Sequence, residues 1–337
     1  MTGISRSLAK KFAFAFDIDG VLIRGAKPLP AGIRALQLLQ SNNIPWILLT
    51  NGGGKSEANR VADLERTLGM PISTQQFIQS HTPFRRLANA FDKVLVVGGQ
   101  ADTCRHVARE YGFANVAMSV DVVAAHPSAW PFHQFTTDQL AAAAPLTDEP
   151  FNAVLVFNDS RDWGCDTQVI IDILTSQAGV LGTKSKTLAQ ALPVYWSNND
   201  LLWANEYPLP RFGQGAFRTA VERVFKDYTS QSLNSTIIGK PHLFTYEYAA
   251  EVLQRWRRAQ FAYDDADLSE LKRVYMVGDN PESDIRGANN FGWHSILVRS
   301  GVYQHGDRLD SGSTPKTVAQ DAYDAVVRAI ELEKSLA

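Results

Sequence analysis

Short apolar runs alternate along the whole chain with segments whose apolar residues recur every three or four positions. Phe12–Phe16, Ile44–Leu49, Val94–Val97, Ala153–Phe157, Thr236–Ile238, Val274–Val277 and Ile296–Val298 read as buried strands. Between them, Ile33, Leu36 and Leu39 line one face of a helix. Val61, Leu64 and Leu68 line another, with Ser56 placed as its N-cap. Strands separated by helices predict parallel sheets with helices on their faces. The Ala- and Pro-rich segment from Ala124 to Pro150 reads as loop elaboration. The acidic stretch Asp264–Glu270 reads as a solvated insertion, and Arg255–Arg258 as a solvated helix end.

A chain of 337 residues is long enough for two domains of about 150 residues each. Apolar residues make up 45% and charged residues 20%, which supports a sizeable core and excludes wholesale disorder. A net charge of −2 gives no reason to expect nucleic acid or an anionic membrane as a partner. No apolar run approaches the 18 or more residues of a transmembrane span. Cys104 and Cys165 are the two cysteines, without ligand-spaced His or Cys, which argues against a disulfide framework and a structural zinc site. Arg6, Lys10 and Lys11 precede the first strand without an intervening acid. The strand starts so early that a basic tail is expected rather than a complete presequence.

The chemistry concentrates just after predicted strands, where open parallel sheets place their sites. Asp17 and Asp19 follow the first strand, and alternation of an extended chain would point both to one side. Thr50, Asn51 and Gly52 follow the second strand, offering a hydroxyl and backbone N–H groups to an oxyanion. Lys240 follows Ile237-Ile238-Gly239, and Asp279 follows Val277-Gly278 with Asp284 five residues later. Carboxylates gathered this way repel one another unless a cation intervenes, and an all-oxygen set suits Mg²⁺ beside a substrate phosphate. A carboxylate so neutralised can attack the phosphoryl group, and a second can protonate the leaving oxygen and then activate water. Asn51-Gly-Gly-Gly-Lys55-Ser56 is not a nucleotide P-loop, because Leu49 stands where that motif needs its first glycine.

Asp17-Ile-Asp-Gly-Val, Leu49-Thr-Asn-Gly, Gly239-Lys-Pro and Val277-Gly-Asp followed by Asp284-Ile resemble the four motifs of haloacid-dehalogenase-like phosphatases. The long stretch between Asn51 and Lys240 resembles the large α/β cap of the subfamily that includes nucleotide and pyridoxal-phosphate phosphatases. More narrowly, Phe157-Asn-Asp-Ser-Arg-Asp-Trp-Gly and Tyr275-Met-Val-Gly-Asp-Asn-Pro-Glu-Ser-Asp resemble the cat eye syndrome critical region protein 5 group. The resemblance implies Asp17 as nucleophile and Asp19 as acid/base. It implies Mg²⁺ bound by Asp17, the Asp19 carbonyl, Asp279 and Asp284, with phosphate held by Thr50, Asn51, Gly52 and Lys240. Asn280-Pro281 stands where the subfamily often has an arginine, a departure beside the metal site. The narrower group implies a mitochondrial location, with the cytoplasm as the alternative, and a link to glycerophospholipid metabolism. Pairing of two copies through the cap is a further implication.

The expected architecture is a doubly wound, Rossmann-like parallel core, residues 1–90 and 207–337, with an inserted α/β cap, 91–206, that selects the substrate. Three further residues are candidates near the cleft. His81 either faces it or is a satisfied structural histidine. Asp162 and Trp163 either form a specificity loop or belong to the cap's own structure. Trp196, Trp203, Tyr207 and Phe212 read as hinge packing. The expected function is Mg²⁺-dependent hydrolysis of a small phosphomonoester through an aspartyl-phosphate. The alternatives are phosphoryl transfer to another acceptor and a silent relative that binds a phosphometabolite or serves as a scaffold.

Overall fold

A computed structural model describes residues 4–203, 207, 209, 211–261, 271–303 and 308–337. The expected insertion Asp264–Glu270 lies outside them. Two parallel sheets organise the chain. The first has the strand order Thr317–Ala319, His294–Val298, Arg273–Gly278, Phe12–Phe16, Trp46–Leu49, Phe77–Ile78. The second runs Ser235–Ile237, Val194–Trp196, Ala153–Val156, Lys93–Val97, Asn115–Ala117. Every pairing in both sheets is parallel.

The central strand Phe12–Phe16 shows why the first sheet forms. All five of its residues are buried, because helices cover both faces and no position needs to be polar. Phe12, Phe14 and Phe16 point to one face, where Phe14 stacks on Tyr275 with ring centroids 5.2 Å apart. Ala13 and Ala15 point to the other, where small side chains let Tyr246 and Leu253 of the helix Leu243–Gln260 approach. Phe16 lies level with Val277 on one side and Leu48 on the other. The three chains therefore end together, and the residues that follow them meet.

The helices expected from periodicity are Pro30–Ser41 and Glu57–Leu68, and Ser56 caps the second by accepting from the Asn59 amide. Arg257 is buried, so only part of the arginine cluster is solvated.

The expected return to the core at residue 207 needs correction. The helix Gln214–Thr229 packs Phe217, Val221 and Phe225 into the core of the second sheet. Ser235–Ile237 pairs there with Val194–Trp196, so the strand before Lys240 belongs to the second sheet. On the entry side, Phe84 and Ala88 of Thr82–Ala90 also pack against that sheet. Pairing and packing thus assign roughly 82–238 to the second unit. Trp196 is part of this second core, whereas Trp203, Tyr207 and Phe212 are exposed on and beside a short antiparallel hairpin rather than packed at a hinge. Among the described residues, no helix is long and apolar enough to cross a membrane.

Inside the second unit, Arg105 and Asp121 form a buried bidentate pair at 2.7 and 2.8 Å. The same carboxylate accepts from the Met118 and Ala144 amides, tying down the irregular Ala124–Pro150 segment. Asp121→Ala strips these partners at once and leaves a buried guanidinium unpaired. A loss of about 3–5 kcal/mol is expected in urea unfolding followed by circular dichroism. A change below about 0.5 kcal/mol would show the pair to be dispensable.

Candidate active site

The site is built from four chain segments that converge at the carboxyl ends of strands. Asp17 follows Phe12–Phe16 and donates its amide to the Val277 carbonyl at 2.9 Å, which continues the ladder one residue past the strand. Asp279 follows Arg273–Gly278. Asp284 sits on a single π-turn, Pro281–Ile285, whose first amides are capped by Asn280: Glu282 donates at 2.9 Å and Ser283 at 3.3 Å. The departure Asn280-Pro281 thus serves the turn that carries Asp284. Lys240 arrives from the second sheet and bridges the first: its Nζ donates to Asp17 Oδ1 and Asp284 Oδ1, both at 2.6 Å.

Asp17, Asp279 and Asp284 each offer an oxygen lying within 4.8 Å of the others. Burial, with repulsion from Asp284, Asp279 and Asp19, raises Asp17 well above the usual carboxylate range although Lys240 pulls the other way. Burial, and Asp284 beside it, pushes Asp279 up to about 7. For Lys240, burial opposes the charge, but Asp17 and Asp284 outweigh it and hold the ammonium firmly protonated. Three buried carboxylates face one buried lysine, which leaves an excess of negative charge that a divalent cation would balance. The donors are hard oxygens at short mutual range, so the residues fit Mg²⁺.

Glycine makes room for this cluster. At Gly301, and at Gly20 with its left-handed φ of +82°, a methyl group would overlap the Asp279 carboxylate. The bend after Gly301 also lets the Val302 amide donate to Asp279 Oδ2 at 2.6 Å.

The remaining candidates divide sharply. Thr50 is buried, and its hydroxyl accepts from the Gly52 amide at 2.9 Å, shaping the turn. The Asn51 side chain is occupied elsewhere than expected: Oδ1 accepts from the Lys240 amide at 2.8 Å, and Nδ2 donates to the Lys240 carbonyl at 3.0 Å. Its side chain therefore positions Lys240 rather than facing a phosphate. Asp19 lies at the exposed rim, close to Gly52. Its carboxyl is raised by the surrounding protein, with Arg60 and Lys240 pulling it down.

His81 does not line the cleft. It is fully buried, with both ring nitrogens bonded inside the protein, and burial pushes it down to about 4. Asp162 caps the helix Trp163–Leu174 by accepting from the Cys165 amide at 3.0 Å. Trp163 leans on Phe217 with centroids 5.4 Å apart, a contact within the second unit. Both belong to that unit's own framework.

Asp200 was not among the candidates. Its Oδ2 accepts from Asn51 Nδ2 at 3.1 Å, and burial pushes it up to about 6. Asn198 next to it donates to the Asn51 carbonyl at 3.1 Å. The signal was present: Asn198-Asn199-Asp200 follows a buried strand, as the other site segments do.

Comparisons with known proteins agree with this geometry. Residues 14–114 match the family model of haloacid dehalogenase-like hydrolases, and residues 237–325 match a second model described as HAD-hydrolase-like. A cardiolipin synthase (CMP-forming)/mitochondrial hydrolase fusion protein of Schizosaccharomyces pombe is 45% identical over 96% of this chain. The chain spans 55% of that fusion protein. A mitochondrial hydrolase of Saccharomyces cerevisiae is 42% identical over 97% of both chains. The crystal structure of a Thermotoga maritima 4-nitrophenylphosphatase has the same fold: TM-score 0.63 at 15% identity, covering 96% of this chain and 99% of that one. With strand-end carboxylates, a buried lysine and a full-length relative at this identity, the chain belongs to the haloacid dehalogenase-like hydrolases.

Proposed function

We propose that the chain is a Mg²⁺-dependent phosphatase that hydrolyses a small phosphomonoester through a phospho-aspartate on Asp17. The observation that carries this reading is the buried Asp17–Asp279–Asp284 cluster bridged by Lys240, with Asp19 two residues from Asp17 at the open rim. Asp17, Asp279 and Asp284, with the Asp19 carbonyl, would hold Mg²⁺, whose charge supports a phosphoryl group beside Asp17.

The protein's own groups account for the rest. Lys240 favours the ionised form of Asp17 against the cost of burial, and the charge of a bound Mg²⁺ would add to that pull, leaving an oxygen lone pair available to phosphorus. As the new P–O bond to Asp17 forms, the bond to the ester oxygen breaks, and Asp19 gives that oxygen a proton. Asp19 then takes a proton from water, whose oxygen attacks phosphorus. The bond to Asp17 breaks, releasing inorganic phosphate and restoring the carboxylate. The proton that Asp19 gives up in the first half is regained from water in the second, so Asp19 ends each cycle as it began, and the exposed rim lets that water reach it. Thr50 and the Gly52 turn would line the phosphate side, with Lys240 spreading the developing charge. The second unit would close over this mouth and choose the leaving group.

The names of the yeast relatives support a mitochondrial place for this reaction. The fusion to a cardiolipin synthase supports a substrate from glycerophospholipid metabolism.

Phosphate release from a panel of phosphomonoesters with Mg²⁺ tests the proposal directly. Asp17→Asn is expected to lose about a thousandfold or more in rate. If the wild type releases no phosphate and forms no beryllofluoride adduct at Asp17, the scaffold reading replaces this one. A chelator is expected to abolish turnover and added Mg²⁺ to restore it; turnover that persists after chelation would exclude the metal. Gly301→Ala is expected to keep the fold but displace Asp279, lowering kcat/KM about a hundredfold. Unchanged kinetics in that variant would show that the Asp279 position is not critical.

A further inference from the structure

Behind the phosphate turn lies a chain of buried polar groups that the proposed mechanism does not use. His81 Nε2 accepts the Gly54 amide at 3.0 Å, and His81 Nδ1 lies 2.8 Å from the Tyr111 hydroxyl. Tyr111 donates to Glu57 Oε1 at 2.5 Å, which also accepts from the Thr82 hydroxyl at 2.8 Å. Glu57 Oε2 meets the Arg85 guanidinium at 3.3 Å, and that guanidinium also lies over the Tyr111 ring, 4.1 Å from its centre.

The chemistry of these groups fixes the direction of every bond. An ionised Glu57 can only accept, so the Tyr111 proton goes to it. The Tyr111 oxygen must then accept from His81, which puts the imidazole proton on Nδ1. Nε2 is left as a lone pair, the only state that can receive the Gly54 amide. Burial holds the ring neutral, and Phe157 packs 5.3 Å from it, centroid to centroid. The members come from both units. Glu57 opens the helix after the phosphate turn, whereas Tyr111 ends the helix Thr103–Glu110 of the second unit.

We infer that His81, held in one tautomer by Tyr111 and Glu57, is a positioning residue that pins the Gly54 end of the Thr50–Gly54 turn and so aims the turn at the substrate phosphate. The inference rests on the hydrolase reading and deepens it. Gly54 adopts a φ of +92°, and Gly53 lies so close to His81 that a side chain there would strike the ring. The turn is therefore shaped against the imidazole. Tyr111 makes the pin depend on the second unit being docked, which ties the unit that would select the substrate to the turn that would hold its phosphate.

The test compares affinity for inorganic phosphate, in the full-length protein with Mg²⁺, between wild type, Tyr111→Phe, His81→Gln and His81→Leu. Tyr111→Phe removes one oxygen and keeps the ring, and it is expected to weaken phosphate about tenfold. KM for 4-nitrophenyl phosphate should rise by a similar factor while kcat changes less. His81→Gln keeps an acceptor for Gly54 and a donor for Tyr111, so it should retain most of the affinity that His81→Leu loses. Circular dichroism establishes that each variant is folded, and Tyr111→Phe carries the test alone if His81→Leu is not. Nitrogen NMR of the wild type should show His81 protonated on Nδ1 and bare on Nε2.

Wild-type phosphate affinity in both Tyr111→Phe and His81→Leu would overturn the inference, as would an imidazole protonated on Nε2. Failure of the hydrolase reading looks different. The wild type itself would then neither bind nor release phosphate, and the pin would lose its assigned role while its Nδ1 tautomer remained.

Discussion

The ammonium of Lys240 is the charge on which the site depends. Asp17 and Asp284 lie in a buried space, where a carboxylate without a partner is costly. One lysine donating to both at 2.6 Å keeps them compatible with burial. The arrangement is costly to desolvate, and it is tolerable because each partner has further bonds. Asp17 is held by the strand ladder, and Asp284 accepts from the Asn280 amide at 3.1 Å. Lys240 is gripped through its backbone by both ends of the Asn51 amide. That last contact matters because Lys240 comes from a different sheet. Without it, the ammonium would be positioned only by the docking of two units.

Much of this was legible from the sequence because parallel sheets impose a simple order. A strand covered on both faces has to be apolar until it ends, and the first polar residues after it sit at the sheet's carboxyl edge. Asp17 and Asp279 were found by that rule, and the structure brings their carboxylates within 4.8 Å of each other, while Thr50 follows the neighbouring strand. What the rule does not encode is sheet membership. Thr236–Ile238 looks like any other buried strand, and only its pairing with Val194–Trp196 shows which sheet it extends. The boundary between the units was misjudged for that reason, since the apolar face of Gln214–Thr229 would serve either core.

His81 and Asn51 show a second limit. His81 was read as either facing the cleft or a satisfied structural histidine, and Asn51 as part of the phosphate-holding turn, and in neither case did the local pattern name a partner for the side chain. Their partners lie far along the chain: Tyr111 is 30 residues from His81, and Lys240 is 189 from Asn51. Local pattern cannot show a partner at that separation. Asp162 is different, since its partner is the amide three residues on. The helix cap was available as a local explanation, and caps are the commoner use of an aspartate there.

These placements share a logic. The groups proposed to meet the substrate are few, and each is backed by one that does not: Lys240 by Asn51, Asn51 by Asp200, Gly54 by His81, His81 by Tyr111. Two of the backing groups, Tyr111 and Asp200, come from the second unit, and Lys240 follows that unit's strand Ser235–Ile237. An inserted unit of this kind is therefore more than a lid. Its docking would complete the charge balance at Asp17 and fix the phosphate turn at the same time. A substrate that failed to bring the two units together would meet a nucleophile without its lysine and a turn whose pin had lost Tyr111. Selection of the substrate and assembly of the catalytic groups would then be one physical event.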